Sequence, residues 1–165
     1  MRSRHCARPL SAPAGPLLEL AAHWRDGRVK QALVARTLRL RQRLSPLFED
    51  GDYRPVRLEG PLAGAMIAFV RRRPESWALV VAPRLALRLP LVPGDVRLVP
   101  DGWPNDWHDT AVVLDDVPDG AMNAFDGAPL EVGAGRTSLA NLCRTLPLAL
   151  AWADTTMRAK VPLYP

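Results

Sequence analysis

Cysteine is scarce, lysine equally so, and no long apolar run occurs. Only two cysteines are found among 165 residues. Cys6 and Cys143 stand far apart and belong to no Cys-x-x-Cys pair, which speaks against a disulfide framework or a zinc knuckle and fits a reducing, cytoplasmic setting. No apolar stretch nears the roughly 18 residues that a membrane-spanning helix requires, so no membrane partner is expected. The longest, Leu146 to Trp152, reads as a buried strand. Arg2, Arg4 and Arg8 open the sequence, but Pro13, Pro16 and Glu19 break up the segment after them. The continuous apolar segment of a secretory signal is missing.

The formal net charge is +5 and the pI about 10.0. The 22 cations are 20 arginines and two lysines, spread along the sequence and interleaved with acids such as Glu49, Asp50 and Asp52 beside Arg54 and Arg57. No single-sign tail results, and no nucleic acid is expected as partner. Gly133-Ala134-Gly135-Arg136 lacks the Lys-Ser/Thr ending of a phosphate-cradling loop and reads as a turn between strands. His5, Cys6, His23 and Cys143 carry no ligand spacing, so neither a metal nor a cofactor is expected. His108 has no nucleophile beside it in an elbow motif. No internal repeat at solenoid or propeller periods is seen.

Periodicity divides the chain into three segments. Residues 1–23 are rich in Arg, Pro, Ala and Ser, keep no period, and are expected to be disordered. Residues 24–48 carry one amphipathic helix. Asp26 can cap its first N–H groups, Gly27 eases the entry, and Val29, Leu33, Leu40, Leu44 and Leu47 recur near the helical period. Val34, Ala35 and Leu38 widen that stripe, cations crowd the other faces, and Ser45-Pro46 is expected to stop the helix. So wide a stripe marks Val29, Leu33, Leu40 and Leu44 as a candidate docking surface.

From residue 49 to 165 the period changes to two and turn residues become frequent, which predicts a mainly β, antiparallel, sandwich-like domain after the helix. Met66 to Val70 and Ala78 to Val81 are continuous apolar runs, as central strands covered on both faces require. Arg73-Pro74-Glu75-Ser76 reads as their hairpin connection. Residues 85–107, broken by several prolines, are expected to be loop with short strand pieces. Further strands are expected over Thr110–Leu114, about Ala121–Phe125, Pro129–Val132 and Leu146–Trp152. Thr137 to Leu142 reads as a helical turn or an edge strand.

The most site-like stretch is Gly102 to Thr110. Trp103 and Trp107 offer faces on which sugar rings can stack, and Asn105, Asp106 and Asp109 offer acceptors for hydroxyls. The plainer and favoured alternative makes Trp107 the anchor of a core strand and Asp109 a turn residue. Retaining glycosidases need two carboxyl groups about 5 Å apart. Glu49, Asp50, Asp52, Asp115 and Asp116 all read instead as turn acids, so no catalytic residue is assigned.

Several stretches carry a family resemblance. They are Trp24 to Val56, AGAMIAFVRRR (63–73), SWALVVAPRL (76–85), WHDTAVVLDD (107–116) and GAPLEVGAGRTSLANLCRTLPLALAW (127–152). Together they resemble the maltooligosyl trehalose synthases of glycoside hydrolase family 13, at the place where the last helix of the catalytic (β/α)8 barrel passes into a C-terminal β-domain. The family's Trp-Gly-Asp-Thr-like run is matched by Trp107 to Thr110, with His108 in place of Gly.

The resemblance implies trehalose biosynthesis by a (1→4)-α-D-glucan 1-α-D-glucosylmutase, an isomerase that works by double displacement. Its nucleophile and acid/base stand on the barrel, which takes about 250 residues and cannot fit here. The sequence therefore reads as a C-terminal fragment, not catalytic alone, with a maltooligosaccharide or α-glucan and a separately encoded barrel as expected partners. The alternative is a stand-alone glucan-binding or accessory domain.

Overall fold

The computed structural model describes residues 14–84, 107 and 109–156. Its first element is helix α1 (Ala14–Ala22), inside the stretch expected to be disordered. Leu17 and Ala21, one helical turn apart, are each 0% exposed, and Leu20 packs beside them. Pro16 falls in the first turn, where the missing N–H has no helical partner to lose. Burial against other elements, invisible to local periodicity, orders this segment. Residues 1–13 of the expected lead lie outside the described residues.

Trp24–Asp26 forms one 3-10 turn, and Gly27 then takes left-handed backbone with φ 79°. The Asp26 carboxylate accepts the Arg28 N–H at 2.9 Å, satisfying one of the free donors at the start of α2 (Arg28–Arg43). Ser45-Pro46 interrupts the helical path without ending it. Leu44 leaves helical geometry, and Pro46 falls in the first turn of a short helix α3 (Ser45–Asp50). A proline fits there for the same reason as Pro16.

Among the described residues the strands are β1 (Asp52–Pro55), β2 (Leu58–Glu59), β3 (Met66–Arg72), β4 (Ser76–Pro83), β5 (Ala111–Val113), β6 (Met122–Asn123), β7 (Arg136–Ser138) and β8 (Ala149–Asp154). They build two antiparallel sheets, ordered β1-β3-β4-β8-β6 and β2-β5-β7. The β3–β4 hairpin turns at Arg73, whose N–H donates to the Ser76 carbonyl at 2.8 Å. Gly133 to Arg136 is the tight turn expected, closed by paired bonds of 3.0 Å between its ends. Arg136 to Leu142 combines both alternatives, since β7 runs straight into a helical turn, α4 (Leu139–Leu142). Pro129–Val132 forms no strand; only Pro129 bridges to Met122.

Alternation along β4 and β8 organises the core. Trp77, Leu79 and Val81 pair in register with Ala153, Ala151 and Ala149 and face the smaller sheet, meeting Val112, Leu114 and Leu139. Ala78, Val80, Leu150 and Trp152 point the other way, onto Leu17, Val29, Leu40, Leu44 and Leu47. The result is three layers: helices, five-stranded sheet, three-stranded sheet. Each large apolar side chain enclosed in this way contributes about 1.5–3 kcal/mol. The helices lie on a face of the sheet, not along its edge. Arg36 ties α2 down further by donating to the Phe125 carbonyl at 2.8 Å, and the Arg43 guanidinium lies 5.1 Å from the centre of the Trp152 ring.

Gly60 is a close approach between the sheets' connecting strands. Its φ is +109°, and a Cβ there would lie 2.7 Å from Thr110 Cα. Thr110 is fully enclosed, and its Oγ1 accepts the Leu62 N–H at 3.1 Å. Gly60→Ala is expected to lower stability by about 2–4 kcal/mol through backbone strain and steric overlap. Urea unfolding checks this, as a lower midpoint with an unchanged slope.

Candidate functional site: a cleft between the two sheets

Trp107 is 6% exposed and packs in the core between the sheets. Its carbonyl accepts the Thr110 N–H at 2.8 Å across a turn in which Asp109 takes left-handed backbone with φ 54°. A side chain so enclosed presents no face to a sugar ring. Trp107 is therefore a core anchor and Asp109 a turn residue, and Asp tolerates that backbone better than most side chains. Trp103 lies outside the described residues.

The docking surface read from the sequence is also spent within the chain. Val29, Leu40 and Leu44 are buried, and Leu33 packs half-buried against the same cluster. Helical periodicity identified an apolar stripe correctly, but it could not say that the chain's own sheet covers it. The apolar side chains left outside on α2 are Val34 and Leu38, 49% and 52% exposed.

Besides a cleft of ≈ 490 Å³ lined by charged side chains and Pro74 alone, two clefts among the described residues have a size and lining suited to a small ligand. One, ≈ 450 Å³, lies between the α2–α3 junction and the β3–β4 turn and is edged by Arg43, Arg73, Glu75 and Asp154. The other, ≈ 500 Å³, opens where the two sheets part and combines more kinds of chemistry. Val56, Val70, Trp77 and Val113 give it an apolar floor, and Arg54, Arg57, Arg72, Asp115 and Asp116 stand round it.

Register explains how these residues meet. Arg54 pairs with Val70 and Asp52 with Arg72 across β1 and β3, while Arg72 pairs with Trp77 across β3 and β4. All therefore project from the sheet face that looks toward the smaller sheet. Asp115 and Asp116 arrive from the turn after β5, where Asp116 holds left-handed backbone with φ 59°. Arg72 grips that turn twice, through the Asp116 carboxylate and the Asp116 carbonyl, the latter at 3.2 Å. Arg54 is paired with Asp52 at 3.1 Å, and Arg57 with Glu59 at 2.8 Å. Glu59 also has Arg136 within 3.7 Å.

In the sequence these arginines read as dispersed charge and the two aspartates as turn residues. The turn assignment holds, but the cleft joins positions 54–57, 70–77 and 113–116, which only sheet pairing unites. Alternation of Arg54 and Val56, and of Val70 and Arg72, was the one local signal of a shared face.

Among the described residues no group of three or more His, Cys, Asp and Glu side chains is placed to hold a metal. None of their helices is long and apolar enough to cross a membrane. Cys143 is free and buried, and burial pushes the pKa of its thiol up to about 12. Thiolate is the reactive form, so this cysteine is shielded twice, by access and by ionisation.

The fold defines a helix-covered antiparallel β-sandwich with a charged cleft between its sheets. A solved structure similar to this chain is a mutant maltooligosyltrehalose synthase from Arthrobacter ramosus, 31% identical, with a TM-score of 0.53. The match covers 86% of this chain and 16% of that protein, so this chain spans a small part of its length. No family model and no curated protein matches the chain. The likeness supports a relation between this chain and one part of that protein.

The burial pattern makes two substitutions informative. Trp107→Ala is expected to cost about 3–5 kcal/mol in thermal or urea unfolding, the range of a core aromatic truncation. A stability equal to the parent's would make Trp107 a surface residue. In a Cys6→Ser background, Cys143 is expected to resist a thiol-specific disulfide reagent at neutral pH until guanidinium unfolds the chain. Prompt labelling of the folded protein would contradict its enclosure.

Proposed function

We propose that this chain is a non-catalytic β-domain of the maltooligosyl trehalose synthase type, serving the conversion of a maltooligosaccharide's reducing-end linkage into a trehalose linkage. The observation that supports it most is the backbone and sequence likeness over 86% of the chain to an enzyme of that name. The stretches that resemble the family lie in α2, the β3–β4 hairpin, β5 and β7 to β8.

In this reading, the double displacement belongs to a catalytic barrel outside these residues, linked or separately encoded, within the isomerase class of glycoside hydrolase family 13. The acids at the cleft fit scaffold roles better than catalytic ones. Asp116 is exposed, and its carboxylate is engaged by Arg72 in holding the turn. A general acid needs the opposite, a carboxyl kept protonated by an apolar surround.

Purified chain incubated with maltopentaose is expected to leave the reducing-end signal unchanged, with no non-reducing product by chromatography. Formation of such a product, lost in Asp115→Asn or Asp116→Asn, would place the chemistry in this chain and overturn the reading.

A further inference from the structure

We propose that the cleft between the sheets is a saccharide-binding site that takes a neutral pyranose unit of a short α-glucan. The assignment of the ligand as a glucan rests on the proposed function; its neutrality and shape come from the cleft itself.

Volume sets the first limit. A space of ≈ 500 Å³ falls within the range of small-molecule sites, about 300–1,000 Å³, and suits one or two sugar rings. Charge sets the second. Each of Arg54, Arg57 and Arg72 already has a carboxylate partner, Asp52, Glu59 and Asp116 in turn. An anionic ligand would find those positive charges already offset, and a cationic one would lie among three guanidinium groups with Asp115 alone unpaired among the described carboxylates of the rim. A neutral polyol needs no unbalanced charge.

Hydrogen-bond inventory sets the third limit. A guanidinium has five N–H donors and uses one or two in an ion pair, so each arginine keeps donors to offer, while a carboxylate only accepts. Hydroxyl groups donate and accept together, and a rim that alternates donors with acceptors satisfies them in both senses. Asp115 is exposed, and its carboxylate has no ion-pair partner among the described residues, which leaves an acceptor at the mouth. The apolar floor of Val56, Val70 and Val113 then matches the C–H face of a pyranose ring.

Titration of isotopically labelled chain with maltopentaose, followed by NMR, tests the assignment. Saturable shifts confined to the amides of Arg57, Val113, Asp115 and Asp116 are expected. The double variant Arg57→Ala with Asp115→Ala removes two exposed side chains that anchor no core, and is expected to weaken binding about tenfold with an unchanged melting temperature. Saturable shifts elsewhere, or none at millimolar sugar, would overturn the cleft assignment. Inorganic phosphate shifting the same amides at lower concentration than the sugar would make the cleft an anion site and overturn it too. Either failure leaves the proposed relation to the glucosylmutase in place, because that relation rests on the backbone match and not on the cleft.

Discussion

Pairing of β4 with β8 is the constraint from which the remaining architecture follows. Six residues of each strand are in antiparallel register, and both strands are apolar on both faces. Such a pair cannot be stable with either face in water. One face therefore gathers β2, β5 and β7 with the turn at Trp107; the other gathers α1, α2 and α3. The layers use different side chains for the same pair, large against small toward the smaller sheet, where Trp77, Leu79 and Val81 oppose three alanines. Toward the helices, Leu150 and Trp152 stand beside Ala78 and Val80. This complementarity fills both interfaces without overlap.

The helical layer shows how a strongly basic segment can be a structural element. Six of the sixteen residues of α2 are Arg or Lys and none is acidic. Several of these charges are accommodated locally: Arg28 by Asp26, Arg36 by the Phe125 carbonyl and Arg43 by the face of Trp152. Long arginine stems cover apolar surface while their heads reach water or a carbonyl. A basic helix of this kind therefore does not imply a nucleic acid, and its charge is consistent with burial of the opposite face.

Between the sheets, the chemistry changes because the strands end unevenly. Where β5 stops at Val113, the larger sheet continues through Arg54 and Arg72, and the gap that remains is edged by paired charges. The ion pairs there are mostly solvated and contribute little stability. Their consequence is geometric: Arg72 fixes the Asp115-Asp116 turn, which forms one side of the cleft's mouth. Cleft and core thus share one cause, two sheets of unequal length packed on a common apolar face.

Local chemistry was legible in the sequence wherever it depends on near neighbours. Asp26 and Gly27 announced the start of α2, the run at Ala78 announced a strand covered on both faces, the run at Met66 announced a strand although its Ile67 stays 42% exposed, and Gly133 to Arg136 announced a turn. Each follows from backbone geometry or from hydrophobic period, which a short window contains. Order in α1, the restart at Pro46, the covering of the α2 stripe by the chain's own sheet, and the meeting of Arg54, Arg72 and Asp116 did not follow. These depend on which surface covers which, and that is settled by contacts between segments tens of residues apart. The sequence determines which side chains seek burial and where the chain can turn; only the packed sheets decide which of those side chains remain outside, facing a common space.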